Sequence, residues 1–349
     1  MEAQQASDSL KSYFNLGARY NYGVVFRHSR ALPIETQSNP MGYELDFAWH
    51  FISQYARDYC NCYPRVGFSL YYWDYRNPDI LGHGMTLMAF VEPFFNAHNR
   101  VSLSMRAGLG LNYQDKPYHP IDNPLNLAYS THFAYAILLN FNANFKVSDH
   151  AKLILAANYN HISNGGIKLP NKGLNYPSFS FGVDYSFHKS RFNKIKTEDW
   201  KAESFERRWR KDFGLFLGFR GITDDESLYY VKGIFGQYAW QISRVSAFPF
   251  GLEYLHDGAE LARSRIYQSI SDKAANKVSI YSGYEYLLGK LVLSFNLGLY
   301  VYSPDRTSSI IYQRYGFRIQ LFKMVFAGLN LKSHGHIAEF FDVRIGTSF

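Results

Sequence analysis

The sequence predicts an all-β chain, an antiparallel β-barrel that crosses a membrane with strands. Three observations carry this. Apolar and aromatic residues recur at every second position over long stretches. Aromatic residues make up 18% of the 349, with 29 Tyr and 29 Phe, more than a soluble core of this size needs. There is also no apolar run long enough for a transmembrane helix. A mean hydropathy of −0.27 is compatible with a barrel, whose inner face is polar.

The alternation is clearest from Val101, where Leu103, Met105, Ala107, Leu109, Leu111 and Tyr113 share one face and Ser102, Ser104, Arg106 and Asn112 share the other. Phe133 to Phe141 and Phe179 to Phe187 repeat it. Strands of this length suit a tilted span of the bilayer. Turn signals near Cys60-Asn61-Cys62, at 97–99 and at 147–149 are short. Those at 29–41, 74–82, 115–129 and 163–176 are long. Outer-membrane barrels put short turns in the periplasm and long loops outside, so the loop after Ser163 is expected at the outer leaflet.

Residues 188–211 break the pattern with clustered Lys, Arg, Asp and Glu around Trp200, Phe205 and Trp209. They read as a charged periplasmic linker that can be helical. Alternation then resumes to Phe349, and Leu291 to Leu299 mirrors the Val101 strand. Arg65–Tyr71 loosely matches Pro249–Tyr254, consistent with an old duplication. The expected layout is a first barrel repeat over 1–187, the linker at 188–211 and a degenerate second repeat over 212–349. The leading expectation is one barrel of about sixteen strands; the alternative is two tandem eight-stranded barrels.

The formal charge is +8, which fits an anionic membrane surface or an acidic substrate. No nucleic-acid-binding signature accompanies it. Met1-Glu2-Ala3-Gln4-Gln5 lacks the basic and apolar regions of a secretory signal and reads as the start of a mature form. The only cysteines, Cys60 and Cys62, flank one residue and are expected as free or strained thiols in a turn. His334 and His336 offer two imidazoles, and two ligands make no metal site. No metal and no cofactor are expected.

The chemistry is concentrated between Asn158 and Tyr176. His161 and Ser163 lie two apart at the end of a strand, so they share a face, with a base beside a hydroxyl nucleophile. Leu153, Leu155, Ala157 and Tyr159 have the same parity, which directs the pair to the lipid side. A polar pair there is poorly placed as mere structure.

The run His161-Ile162-Ser163-Asn164-Gly165-Gly166-Ile167-Lys168, followed by Pro170-Asn171-Lys172-Gly173-Leu174-Asn175, resembles the signature of the outer-membrane lipid A 3-O-deacylase (PagL) family, whose relatives are also described as acyloxyacyl hydrolases. The resemblance covers roughly the first half of the chain. It implies a Gram-negative outer-membrane esterase acting on lipid A of lipopolysaccharide in the outer leaflet. It casts Ser163 as nucleophile and His161 as base. Oxyanion donors are expected from Asn164 and the backbone N–H groups of Gly165 and Gly166, where missing side chains let the backbone approach a substrate. Lys168 is a candidate contact to a lipid A phosphate, and Pro170, Asn171 and Gly173 would shape the loop. The family has Glu twelve residues after the serine, where this chain has Asn175, a third catalytic candidate that can hold the His161 tautomer through its side-chain oxygen but brings no charge. The competing readings are a lapsed member that binds lipid and a passive, porin-like barrel.

Overall fold

The structure is a computed structural model that describes residues 12–349 except 28–31, 54–55, 58–59, 61, 190–191, 193–205, 223–224, 267–274, 305–308 and 336. Sixteen strands account for nearly all of it. The first eight are β1 Ser12–Gly23, β2 Met41–Phe51, β3 Tyr63–Asp74, β4 His83–Phe95, β5 Val101–Gln114, β6 Phe133–Lys146, β7 Ala151–Ser163 and β8 Leu174–Ser186. The second eight are β9 Arg208–Ile222, β10 Asp225–Gln241, β11 Ser246–Asp257, β12 Asn276–Leu288, β13 Leu291–Tyr302, β14 Ile311–Gln320, β15 Val325–His334 and β16 Ile337–Ser348. A helix, α1 Gly258–Ile266, follows β11.

All neighbours are antiparallel, and the strands close twice. β1 pairs β8, with Asn15 opposite Ser186 and Gly23 opposite Ser178. β9 pairs β16, with Leu217 opposite Val343. The leading expectation of a single barrel therefore gives way to the tandem alternative. The sixteen strands form two closed eight-stranded barrels, and the chain divides into two compact units, one around each. Closure satisfies the backbone of both edge strands, which hydrocarbon requires.

The linker expected at 188–211 falls mostly outside the described residues, including its possible helix. Its last four residues, Arg208 to Lys211, are already part of β9, since alternation with the partner strand pulls them into the ladder. The cysteines also differ from expectation. Cys60 and Cys62 are bonded, with Cα atoms 5.0 Å apart. That separation lies within the ordinary range for a bridge.

The alternation has the predicted physical origin. In β7 the odd positions Leu153, Leu155 and Tyr159 are exposed, while Lys152, Ile154, Asn158 and Asn160 are buried. The outward faces of both barrels carry the exposed Phe, Tyr, Leu and Val side chains that a lipid surround covers.

The lumen of the first barrel is packed with charge. Arg106, fully buried, reaches Glu44 at 2.7 Å, Asp46 at 2.7 Å and Glu92 at 3.0 Å. Arg65 joins Glu92 at 2.7 Å to Asp184 at 2.9 Å. Toward the long-loop end the lumen turns aromatic, with Trp73, Tyr75, Tyr129 and Tyr176 in one buried cluster. The second barrel has its own network, in which Arg314 and Arg344 share Glu253 at 2.7 and 2.9 Å. Among the described residues buried side chains line both lumens, as in small barrels.

Candidate active site

Two inward anchors set the phase of the site. Ile162, 1% exposed, points into the first barrel, so its neighbours His161 and Ser163 take the outward phase. Tyr176 packs into the lumen against Trp73 at 4.9 Å and Tyr75 at 5.9 Å between ring centroids. Asn175, one residue earlier, is therefore outward too. Register completes the arrangement, because His161 and Asn175 are partners across β7 and β8.

The three side chains form one hydrogen-bonded line. His161 Nδ1 lies 2.5 Å from Asn175 Oδ1, and His161 Nε2 lies 3.1 Å from Ser163 Oγ. An amide oxygen only accepts, so His161 donates from Nδ1. Its Nε2 is then the bare nitrogen that can take the serine proton. The imidazole is half-buried, while Ser163 and Asn175 are buried at 1% and 4% exposure. The outward phase is as expected, but the serine is covered rather than open.

Asn164 is held from two sides. Its backbone N–H donates to Asn171 Oδ1 at 3.0 Å, and its Nδ2 donates to Ser130 Oγ at 3.2 Å. Gly165 and Gly166 follow with φ of +67° and +79°, a left-handed pair that side chains rarely adopt. Lys168 is exposed on the same loop.

The loop between β5 and β6 is the part that sequence reasoning missed. Leu127 and Ala128 carbonyls accept from the Lys172 and Gly173 N–H groups at 3.0 and 2.8 Å. Asn126 is itself fixed by Nδ2 bonds to Lys116 O at 2.6 Å and Ile80 O at 3.1 Å. Nothing in the spacing of Ser130, thirty-three residues before Ser163, marks it as a partner of Asn164.

Gly173 has a sharper role than loop shaping. Its φ is +78°, and a Cβ there would sit 2.8 Å from His161 Cε1. Gly173→Ala should therefore strain the turn and push the imidazole off its line. The expected result is a loss of ester hydrolysis of about tenfold to a hundredfold with the barrel still folded, measured by initial rates beside circular dichroism. Wild-type rates would show that the glycine does not back the ring.

Asp257, Glu260 and Glu339 converge in the second barrel, but Arg220 Nη1 stands among them, 2.8 Å from Asp257 and 2.6 Å from Glu339. An arginine already supplies the positive charge. His334 pairs with Glu339 at 3.3 Å, and His336 lies outside the described residues.

Comparison with known families gives two adjacent matches. The family described as lipid A 3-O-deacylase (PagL) matches residues 41–184. The acyloxyacyl hydrolase C-terminal domain matches residues 209–349. No curated protein matches the chain significantly. Among solved structures, Neisserial surface protein A is 14% identical, with a TM-score of 0.35, over 50% of this chain and 97% of that one. The outer membrane enzyme PagL is 15% identical, with a TM-score of 0.31, over 48% and 98%.

Proposed function

The chain belongs to the lipid A 3-O-deacylase (PagL) family of Gram-negative outer-membrane β-barrels, and on that premise we propose that it hydrolyses an ester-linked acyl chain of lipid A with Ser163 as nucleophile. The observation that carries the reading is the Asn175, His161 and Ser163 line, with its contacts of 2.5 and 3.1 Å. The long-loop end of the first barrel faces the outer leaflet, where lipid A presents its ester bonds.

In this mechanism Ser163 Oγ attacks the ester carbonyl as its proton passes to His161 Nε2. The tetrahedral oxyanion needs donors at its developing charge. The backbone N–H of Asn164 is committed to Asn171, so Asn164 contributes through its side-chain amide, oriented by Ser130. Gly165 and Gly166 contribute backbone N–H groups. Collapse returns the proton from His161 to the sugar oxygen and leaves an acyl-serine. Water, activated by His161, then releases the fatty acid and restores Ser163. Lys168 is assigned to a phosphate of the lipid A head.

Asn175 stands where the family pattern has a carboxylate. It fixes the His161 tautomer, as a neutral orienter can, but brings no charge to the imidazolium. Asn175→Ala is expected to cost less than loss of His161 or Ser163. Asn175→Glu is expected to retain or raise the rate, since a carboxylate at Nδ1 stabilises the protonated ring. Initial rates on lipid A for the two variants test the assignment. An Asn175→Ala enzyme as dead as one lacking Ser163 would contradict it.

The lapsed-member reading draws on the same asparagine. It predicts no turnover by wild type, which the same rates decide.

A further inference from the structure

The outer wall of the second barrel is dished. A groove of about 990 Å³ runs across β10 to β13, lined mostly by outward side chains such as Ile234, Leu252, Ile280 and Leu299. Its cause is local. Gly236 and Ser282 are short side chains in rows of large ones, Gly236 opposite Leu252 and Ser282 between Phe250 and Leu297. Three strand spacings make the dish about 14 Å across, wider than a single acyl chain.

One end of the groove is capped by polar groups. Lys232, His256 and Asn276 form the next outward row but one, Lys232 opposite His256 and His256 opposite Asn276. Tyr254 Oη donates to Asn276 Oδ1 at 2.7 Å, and His256 Nδ1 lies 3.0 Å from the same oxygen. Tyr230 stacks on His256 with centroids 6.0 Å apart, and exposed Lys232 holds its ammonium 5.1 Å from that Tyr230 ring. This end carries the barrel's two longest connections, 258–275 and 303–310, beside the two-residue ones at 223–224 and 335–336. The opposite end has no connection longer than four residues: 242–245, 289–290 and 321–324. By the short-turn rule the capped end is extracellular, which puts Lys232 at headgroup depth and the groove in the hydrocarbon below.

We propose that this face is a lipid-binding site for one molecule of lipid A, held by several acyl chains in the groove and by a phosphate on Lys232. Charge and geometry select the occupant. A phosphate beside an ammonium at the interface gains attraction, and the width of the dish suits a multiply acylated lipid. The site is separate from Ser163 and does not depend on its being a nucleophile.

The test is native mass spectrometry of the full chain, purified from outer membranes in a mild detergent. Wild type is expected to retain one lipid A per chain. Lys232→Glu, which opposes the phosphate, and Ser282→Phe, which fills the dish, should each weaken binding about tenfold or more, at least about 1.4 kcal/mol, read as a lower retained fraction. Both variants should fold, as read by circular dichroism, and hydrolyse a short-chain ester at the wild-type rate. The two substitutions act on different parts of the site, so a folding defect in one leaves the other decisive. Undiminished lipid A in both variants, or none in wild type, overturns the site. Retention of phospholipid in place of lipid A overturns the occupant.

Discussion

Ser163→Ala is expected to release no fatty acid from lipid A above background, a loss of about a thousandfold or more, with assembly of the first barrel unchanged. In the proposed mechanism the hydroxyl is the group that forms the acyl intermediate. Replacing it removes one contact, to His161 Nε2, and leaves the Asn175 bond in place. Polar-to-alanine changes of this kind rarely unfold a protein. His161→Ala should fall to the same floor, because base and nucleophile act as one unit. Their combination should be no worse than either alone. Additive losses would mean that the two side chains serve separate steps, and an active Ser163→Ala enzyme would move the nucleophile elsewhere.

Arg106→Ala is expected to destabilise the first barrel by about 3–5 kcal/mol, the largest structural effect of any single substitution considered. Its guanidinium bonds Glu44, Asp46 and Glu92 at 2.7 to 3.0 Å and lies 3.9 Å from the Phe90 ring centroid. Removing it leaves three carboxylates facing one another in a closed lumen, with Arg19 and Arg65 alone to balance them. The change is read as a lower midpoint in urea unfolding from lipid vesicles, followed by tryptophan fluorescence. A shift below about 1 kcal/mol would mean that water enters the lumen and solvates the acids, contrary to a packed interior.

The site was legible in the sequence to the extent that alternation carries it. Parity alone put His161, Ser163 and Asn175 on one outward face, and register then made His161 and Asn175 neighbours. What alternation does not encode is which strands meet. Arg106 was readable as an inward charge, but its partners Glu44 and Asp46 come from a strand about sixty residues earlier. Ser130 and Asn164 meet only because the loop between β5 and β6 lies against the loop after β7. The expectation of one barrel failed for the same reason, since period two is the same whether the edge of β8 pairs with β1 or continues to β9. The aperiodic, charged stretch after Ser186 was the local sign of a break. The bridge between Cys60 and Cys62 was not legible because their spacing in the chain does not fix the Cα separation, which is 5.0 Å.

The most direct test is mass spectrometry of lipid A from one Gram-negative host carrying the wild-type gene, the Ser163→Ala gene or neither. The wild-type sample should contain a species lighter by one hydroxyacyl chain, with the free fatty acid recovered. That species should be absent from the other two. Identical lipid A in all three, with the barrel present in the outer membrane, would contradict the deacylase account.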